Sequence, residues 1–254
     1  MISFPFAKIN LGLNILKKRA DGYHELETCF YPVKGLYDAL EMIPSTTQSS
    51  NLTAFNSDWE GPKEENLVWK AYQMFLEFVP KMEPMDWFLY KKIPSGGGLG
   101  GGSSDAVFAL RLMAEKCEWS RNDPRLLQMA NQLGSDCAFF LFDTPMLGIG
   151  RGEKLETAKL SQEKFRIEIV FPGTHISTKE AFENIKPSFP TKSISEILKQ
   201  PIHSWKDDLK NDFEDSIFPK YPELAKIKEE LYKKGALYAS MSGSGSTMYG
   251  LFSA

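Results

Sequence analysis

Between Ile9 and Ile15 apolar and polar positions alternate, with Ile9, Leu11, Leu13 and Ile15 set against Lys8, Asn10, Gly12 and Asn14. A period of two is that of a strand with one buried face, so Lys8 and Asn10 are expected together on the other face. In the following RADGYHEL, Asp21-Gly22 is a turn signal that presents Tyr23 and His24 just past the bend. The period then changes to that of a helix. Leu67, Ala71, Met74, Phe75 and Phe78 recur at helical spacing behind Asn66, a good N-cap, until Pro80 ends the pattern.

Trp87 to Ile93 reads as a strand and runs directly into PSGGGLGGGSSDA and a helical stretch from Val107 to Cys117. Ala106, Leu110, Met113 and Cys117 share one helical face, Ser103 or Ser104 is the expected cap, and Asp105 falls in the first turn. Asp123-Pro124 starts another helix as cap and first residue, ending near Gly134 ahead of Ser135-Asp136 and the apolar run CAFFLF. After Gly148 to Gly152 come a strand FRIEIVF, a helix introduced by the capping-box pattern Ser177…Glu180, and a Pro/Ser/Lys-rich stretch over 186–201. A helix around Leu224, Ile227 and Leu231 stops at Gly235, and SGSGS at 242–246 separates two strand-like segments. Helices and strands in this order predict an α+β protein in two lobes, an N-terminal domain over 1–153 and a C-terminal α+β domain over 154–254. There is no internal repeat.

Composition narrows the function. The chain has 254 residues, and 30 Lys+Arg against 33 Asp+Glu give a formal charge of -3, which lacks the cationic surplus that nucleic-acid binding requires. Cys29, Cys117 and Cys137 are widely spaced and form no zinc-binding pattern, so reduced thiols in a cytoplasm are expected and no protein-held metal cluster is. Lys8 and Asn10 interrupt the N-terminal apolar run and no cleavage site follows, so neither a signal peptide nor a membrane span is expected.

The strongest chemical signal is the run Ser95 to Gly102, which holds six glycines. One left-handed turn position needs only one glycine, so the density points to a backbone that a ligand approaches closely. Without Cβ atoms the chain curls around a phosphate and points its N–H groups inward, and the helix that follows adds the positive end of its dipole. Ser103 and Ser104 add hydroxyls as donors or as a metal ligand. Gly96-x-Gly98-x-x-Gly101 matches the dinucleotide fingerprint, but the acidic residue that should end a second strand is missing, since Glu115 lies within the predicted helix and Asp123 caps the next. Walker A fails too, because Ser103-Ser104 follow Gly102 where Lys-Ser/Thr is needed. Ordinary alternatives stand beside each reading: a flexible connector for the loop, a solvated surface lysine for Lys8, a helix cap for Asp136, local packing for Tyr23, an exposed turn residue for His24. Phe182 sits with Ala181 and Ile185 on an apolar stripe, so it is either core or a second stacking face beside Tyr23 and His24, whose ring and polar edge suit a nucleobase.

PSGGGLGGGSSDA resembles the glycine-rich motif of the galactokinase, homoserine kinase, mevalonate kinase and phosphomevalonate kinase superfamily. With FAKINLGLNILKKRADGYHELET before it, LGSDCAFFL after it and SGSGS near the C-terminus, the motifs follow in superfamily order over nearly the whole chain. The pairing of K-x-N-L with D-G-Y-H is similar to one branch, whose members phosphorylate a cytidine diphosphate-linked polyol of non-mevalonate isoprenoid biosynthesis. The resemblance implies a two-lobed small-molecule kinase with its active-site cleft between the N- and C-terminal domains, and ATP with Mg²⁺ as co-substrate. It implies Lys8 and Asp136 as the catalytic pair and Asn10, Tyr23 and His24 as substrate contacts. Asn66 and Lys91 match positions near the adenosine, and Pro94, Ser95, Gly96, Gly97, Gly98, Leu99, Gly100, Gly101, Gly102, Ser103 and Ser104 match the phosphate loop. SGSGS matches a motif that stabilises that loop. Cys137-Ala138 departs from the Val-Pro or similar pair common after the aspartate. The expected partners are small molecules, with no nucleic acid and no membrane, and the chain is expected as a monomer or weak homodimer. The alternatives are a kinase for homoserine, mevalonate or a sugar, and a nucleotide-binding module without turnover.

Overall fold

The computed structural model describes residues 1–57, 59–183 and 185–254. Along the chain run β1 (Ile2–Ser3), β2 (Phe6–Lys18), β3 (His24–Tyr37), β4 (Ala39–Pro44), β5 (Asn51–Phe55), α1 (Leu67–Phe78) and β6 (Met85–Tyr90). Then come α2 (Gly101–Lys116), α3 (Pro124–Leu133), a 3₁₀ turn at Cys137–Leu141, β7 (Met146–Gly150), β8 (Lys154–Thr157) and β9 (Phe165–Val170). The short helices α4 (Thr178–Phe182), α5 (Ile194–Ile197), α6 (Trp205–Asp208) and α7 (Phe213–Ile217) precede α8 (Pro222–Lys233), β10 (Tyr238–Met241) and β11 (Met248–Ser253).

Contacts group these elements into two units, neither continuous in sequence. The first is Met1–Ala7, Lys34–Ser95 and Gly100–Asp143, and the second is Lys8–Val33, Gly96–Leu99 and Thr144–Ala254. A single cut near residue 154 expects continuous domains. The difference arises because β2 and β3 are long enough to leave one unit and enter the other, and hydrophobic patterning says nothing of where a long strand changes neighbours.

In the first unit a sheet of order β1-β4-β6-β5 holds β5 parallel to β6, the connection being α1. Leu40, Met42, Leu52, Trp87 and Leu89 turn to one face and pack with Val68, Phe75, Ala106, Leu110 and Met113 of α1 and α2. Asn66 caps α1 by accepting from the Val68 amide at 2.9 Å, and Asp123 caps α3 by accepting from the Arg125 amide at 3.0 Å, both as their sequence positions predict. Helix α2 begins at Gly101 with Gly100 as its cap, three or four residues ahead of the start that a cap at Ser103 or Ser104 implies. Ser103 and Ser104 therefore lie inside its first turns, and Asp105 is buried.

The second unit has two sheets, β2-β3-β7-β8 and β10-β11-β9. Leu13, Ile15, Ile176, Phe213, Leu224, Leu231, Ala239 and Met248 form its core. Ser177 caps α4 through the Glu180 amide at 3.1 Å. A second, complete capping box, Ser193 with Glu196, forms α5 within the stretch that the sequence reads as loop, its S-x-x-E masked by the surrounding proline and lysine.

Candidate active site

Lys8 and Asn10 lie on β2, which is buried on both faces, each of the two being 2% exposed. Lys8 Nζ donates to Asn10 Oδ1 at 2.6 Å, Asn10 Nδ2 donates to Thr28 Oγ1 at 2.9 Å, and that hydroxyl donates to the Gly12 carbonyl at 2.6 Å. The solvated-lysine reading is thereby corrected: the alternation marks a strand whose polar side faces a hydrogen-bonded interior. The Lys8 ammonium stands 5.5 Å from the centroid of the Phe30 ring, and the Tyr249 hydroxyl fixes the strand by donating to the Asn10 carbonyl at 2.6 Å. Thr28 escapes sequence reading because a threonine in a strand is ordinarily there for its β-branch.

The backbone N–H of Lys8 donates to the Leu99 carbonyl at 2.9 Å, which ties the strand to the middle of the glycine run. Gly96 and Gly98 have φ of 69° and 76°, so backbone conformation alone requires glycine there. The chain's own packing adds to this. A Cβ on Gly97 would lie 2.5 Å from Thr247 Oγ1, and one on Gly96 would lie 2.7 Å from His175 Nδ1. With Gly98 against the Ser242 carbonyl and Gly101 against Ile93, four of the six glycines answer to neighbouring protein, a correction to the view that ligand approach explains the whole run. The SGSGS segment closes the β10–β11 hairpin, as expected, and the Thr247 amide donates to the Gly97 carbonyl at 3.2 Å.

Asp21 Oδ1 accepts from the Tyr23 amide at 3.1 Å, which forms the predicted turn. Tyr23 and His24 do not share a face. Tyr23 is 55% exposed, with the Arg151 guanidinium 5.0 Å from its ring centroid, whereas the His24 ring stacks on Phe182 at 4.7 Å and 17°. Phe182 also meets Phe213 edge-on at 4.8 Å, so it is both part of the core and a stacking surface. Burial, and secondarily the Lys18 charge, hold the His24 pKa below its ordinary value.

In the first unit, Pro94 and Ser95 lead out of β6, and Gly100, with φ of 70°, turns the chain into α2. No side chain caps this helix, so the first-turn N–H groups and the positive dipole end are offered to a ligand by backbone alone. Gly101 is packed against Ile93 and the Lys91 amine, while Gly102 is exposed, and a Cβ there would meet Leu67 at an ordinary 3.6 Å. Ser104 Oγ is buried without a hydrogen-bond partner.

Lys91 is buried as an ion pair with Asp38, and its amine also donates to Asp105 Oδ2 at 2.6 Å. Asp38 also accepts from the amides of Lys92 at 2.5 Å and Ile93 at 2.8 Å. Asp105 Oδ1 has no partner, and burial pushes the Asp105 carboxyl up to about 8 despite the lysine. The amine that matches an adenosine-proximal position thus anchors the first turns of α2 to the end of β6. Nothing in the pattern around Asp38, between two strands, announced this role.

Asp136 precedes the 3₁₀ turn, and its side chain does not cap it, so the ordinary capping reading fails. The Cys137 thiol beside it is pushed by burial up to about 12, an un-ionised group at the departure from the family pattern. Lys8, Asn10, Tyr23, His24, Gly96, Gly97, Gly98, Leu99 and Phe182 belong to the second unit. Asn66, Lys91, Pro94, Ser95, Gly100, Gly101, Gly102, Ser103, Ser104 and Asp136 belong to the first.

Residues 66–144 match the model of the GHMP kinases N terminal domain, and residues 193–254 that of the GHMP kinases C terminal domain. A 4-diphosphocytidyl-2-C-methyl-D-erythritol kinase of Bacteroides fragilis is 49% identical over 255 residues, covering 100% of this chain and 92% of the relative. The enzyme of the same name from Bacteroides thetaiotaomicron is 49% identical over 99% of this chain and 92% of its own. Among solved structures, a 4-(cytidine 5'-diphospho)-2C-methyl-D-erythritol kinase superposes with a TM-score of 0.82 at 32% identity, covering 99% of this chain and 90% of that one. Phosphomevalonate kinase from Streptococcus pneumoniae shares the fold alone, with a TM-score of 0.73 at 15% identity over 99% of this chain and 91% of its own. The uncapped helix behind a glycine run, the buried Lys8–Asn10 pair and full-length identity near one half lead to one conclusion: the chain belongs to the GHMP kinases, in the 4-diphosphocytidyl-2-C-methyl-D-erythritol kinase family.

Proposed function

We propose that this protein transfers the γ-phosphoryl group of ATP to the 2-hydroxyl of 4-diphosphocytidyl-2-C-methyl-D-erythritol, a step of non-mevalonate isoprenoid precursor synthesis. The observation that carries the reading is the buried Lys8 amine on a strand whose backbone is hydrogen-bonded to the glycine run at Leu99.

In this reading the 2-oxygen forms a bond to the γ-phosphorus, the bond to the β-phosphate oxygen breaks, Asp136 takes the hydroxyl proton, and ADP leaves. Phosphoryl transfer asks little covalent work of a protein beyond alignment, charge neutralisation and a base. Lys8, oriented by Asn10, lowers the pKa of the alcohol and steadies the growing charge, which requires Lys8 and Asp136 to act on the same hydroxyl. The amides at the start of α2 and in the glycine run hold the phosphates. Asn66 and the backbone beside Lys91 are assigned to the adenosine, and Tyr23, His24 and Phe182 to the cytosine.

Mg²⁺ would be supplied with ATP and would need few protein ligands. The partnerless Ser104 Oγ and the neighbouring Ser103 hydroxyl are oxygen donors of the hard type it accepts, so the residues present fit the ion. When bound it neutralises charge on the β- and γ-phosphates.

The test is ADP release from the purified protein with a panel of alcohols: the cytidyl methylerythritol compound, homoserine, mevalonate and galactose. Turnover confined to the cytidyl compound is expected. Turnover with another alcohol in its place moves the chain to a different specificity, and ATP binding without turnover makes it a nucleotide-binding module.

A further inference from the structure

Residues 210–214, which no motif draws attention to, lace together the strand carrying Lys8 and the loop at 242–247. Leu13 donates its amide to the Lys210 carbonyl at 2.8 Å and accepts from the Asp212 amide at 2.9 Å, while Asp212 Oδ2 accepts from the Ile15 amide at 2.6 Å. Glu214 Oε1 accepts from Ser240 Oγ and from the Met241 amide, both at 2.8 Å.

Asn211 stands at the centre of this lacing. Its Nδ2 donates to the carbonyls of Met241 and Gly243, both at 2.8 Å, and its Oδ1 accepts from the Phe213 amide at 3.1 Å. A buried amide with both hydrogens and its oxygen engaged is fixed in one orientation. The two carbonyls flank a single residue, Ser242, whose hydroxyl donates to Gly98 in the glycine run. Clamping the peptide on either side of Ser242 fixes where that hydroxyl points. Aspartate has no hydrogens to offer the two carbonyls and would set an oxygen against them.

We propose that Asn211 is a positioning residue for the phosphate loop, acting through Ser242 on Gly98. The inference rests on the reading of the glycine run as the ATP-phosphate site. It predicts that loss of the Asn211 clamp weakens ATP and spares the alcohol.

The experiment measures kcat and both KM values for Asn211→Asp, Ser242→Ala and the double variant, with each melting temperature taken with and without Mg-ATP. Asn211→Asp is expected to raise the ATP KM about tenfold and leave the alcohol KM within about twofold, consistent with loss of hydrogen bonds to a binding loop. Ser242→Ala should raise the same constant by at least as much, and the double variant should be no worse than Ser242→Ala alone. Additive losses, equal losses in both KM values, or a lowered melting temperature with a wild-type ATP KM would overturn the proposal. Asn211→Ser, which keeps one donor, serves if the aspartate variant does not fold, and a wild-type ATP KM there also overturns it. If the wild-type protein itself shows no Mg-ATP-dependent rise in melting temperature, the phosphate-site reading fails. If the wild type responds and the variants respond equally, only the role of Asn211 fails.

Discussion

Ser242 Oγ donates a 2.9 Å hydrogen bond to the Gly98 carbonyl, and the backbone oxygen of the same serine lies 2.0 Å from where a Cβ on Gly98 would sit. Gly98 is therefore required both by its positive φ and by the close approach of Ser242. The exposed Gly102 has room for a methyl group and lies in the first turn of α2, which the proposed mechanism assigns to the phosphates. The two glycines should separate folding from binding.

Gly98→Ala, strained at positive φ and clashing with backbone, is expected to lose about 3–5 kcal/mol of stability. Gly102→Ala should fold as well as wild type, since alanine is the better helix former by about 1 kcal/mol, and should raise the ATP KM. Thermal melts and ATP titrations of both variants make the comparison. An unimpaired ATP KM for Gly102→Ala would remove the start of α2 from the phosphate site.

Asp38 and Asp105 share Lys91 unequally, because Asp38 accepts from two backbone amides as well and Asp105 leaves one oxygen unpaired. Asp38→Asn breaks a buried pair and is expected to cost about 3–5 kcal/mol. Asp105→Asn should be mild and should alter the pH dependence of stability. The Asp105 carboxyl holds its proton up to about 8 when folded but ionises near 4 when unfolded, so the native state binds more protons between these values. The resulting stabilisation is complete below pH 4 and lost as pH rises through about 8. Asp105→Asn should accordingly lose less melting temperature between pH 6 and 9 than wild type. A steeper fall in the variant would reverse the assignment of the proton.

Stacking of His24 on Phe182 presents an imidazole edge that burial keeps neutral to lower pH than usual. Alanine at Tyr23 or Phe182 should raise the KM for the cytidyl substrate by about 5- to 150-fold, the equivalent of 1–3 kcal/mol of base stacking, and leave the ATP KM almost unchanged. His24→Ala should do the same through a lost hydrogen bond. In wild type the cytidyl KM should be flat above the ordinary histidine range and rise only below it. A uridine analogue should be rejected, since exchanging the amino and N3 groups leaves the site unpaired. Equal use of both bases would end the claim that these residues read cytosine.

How much of this was legible beforehand depended on whether the determinant was local. The caps at Asn66, Asp123 and Ser177, the turn at Asp21-Gly22 and the strand-loop-helix order around the glycine run are encoded within a few residues, and the structure has them. Lys8 was recognisable by motif but not by physics, since Asn10, which accepts from its amine, is in turn held by Thr28 on the neighbouring β3, eighteen residues on. The start of α2 was missed because glycine is a poor helix former and the run disguises the first turn. Asp38, Asn211 and Glu214 reach Lys91, Met241 and Met241 respectively over more than twenty residues of chain, and that spacing carries no periodic signal.

The proposed chemistry assigns the transfer to Asp136 and Lys8, and the rate of a single turnover with ATP and the cytidyl substrate both saturating tests it most directly. Asp136→Asn should retain the wild-type melting temperature and ATP affinity while the transfer rate falls by about 10²- to 10⁴-fold, as loss of a general base does. Lys8→Met should fall comparably with the fold intact. A transfer rate near wild type in Asp136→Asn would contradict the account.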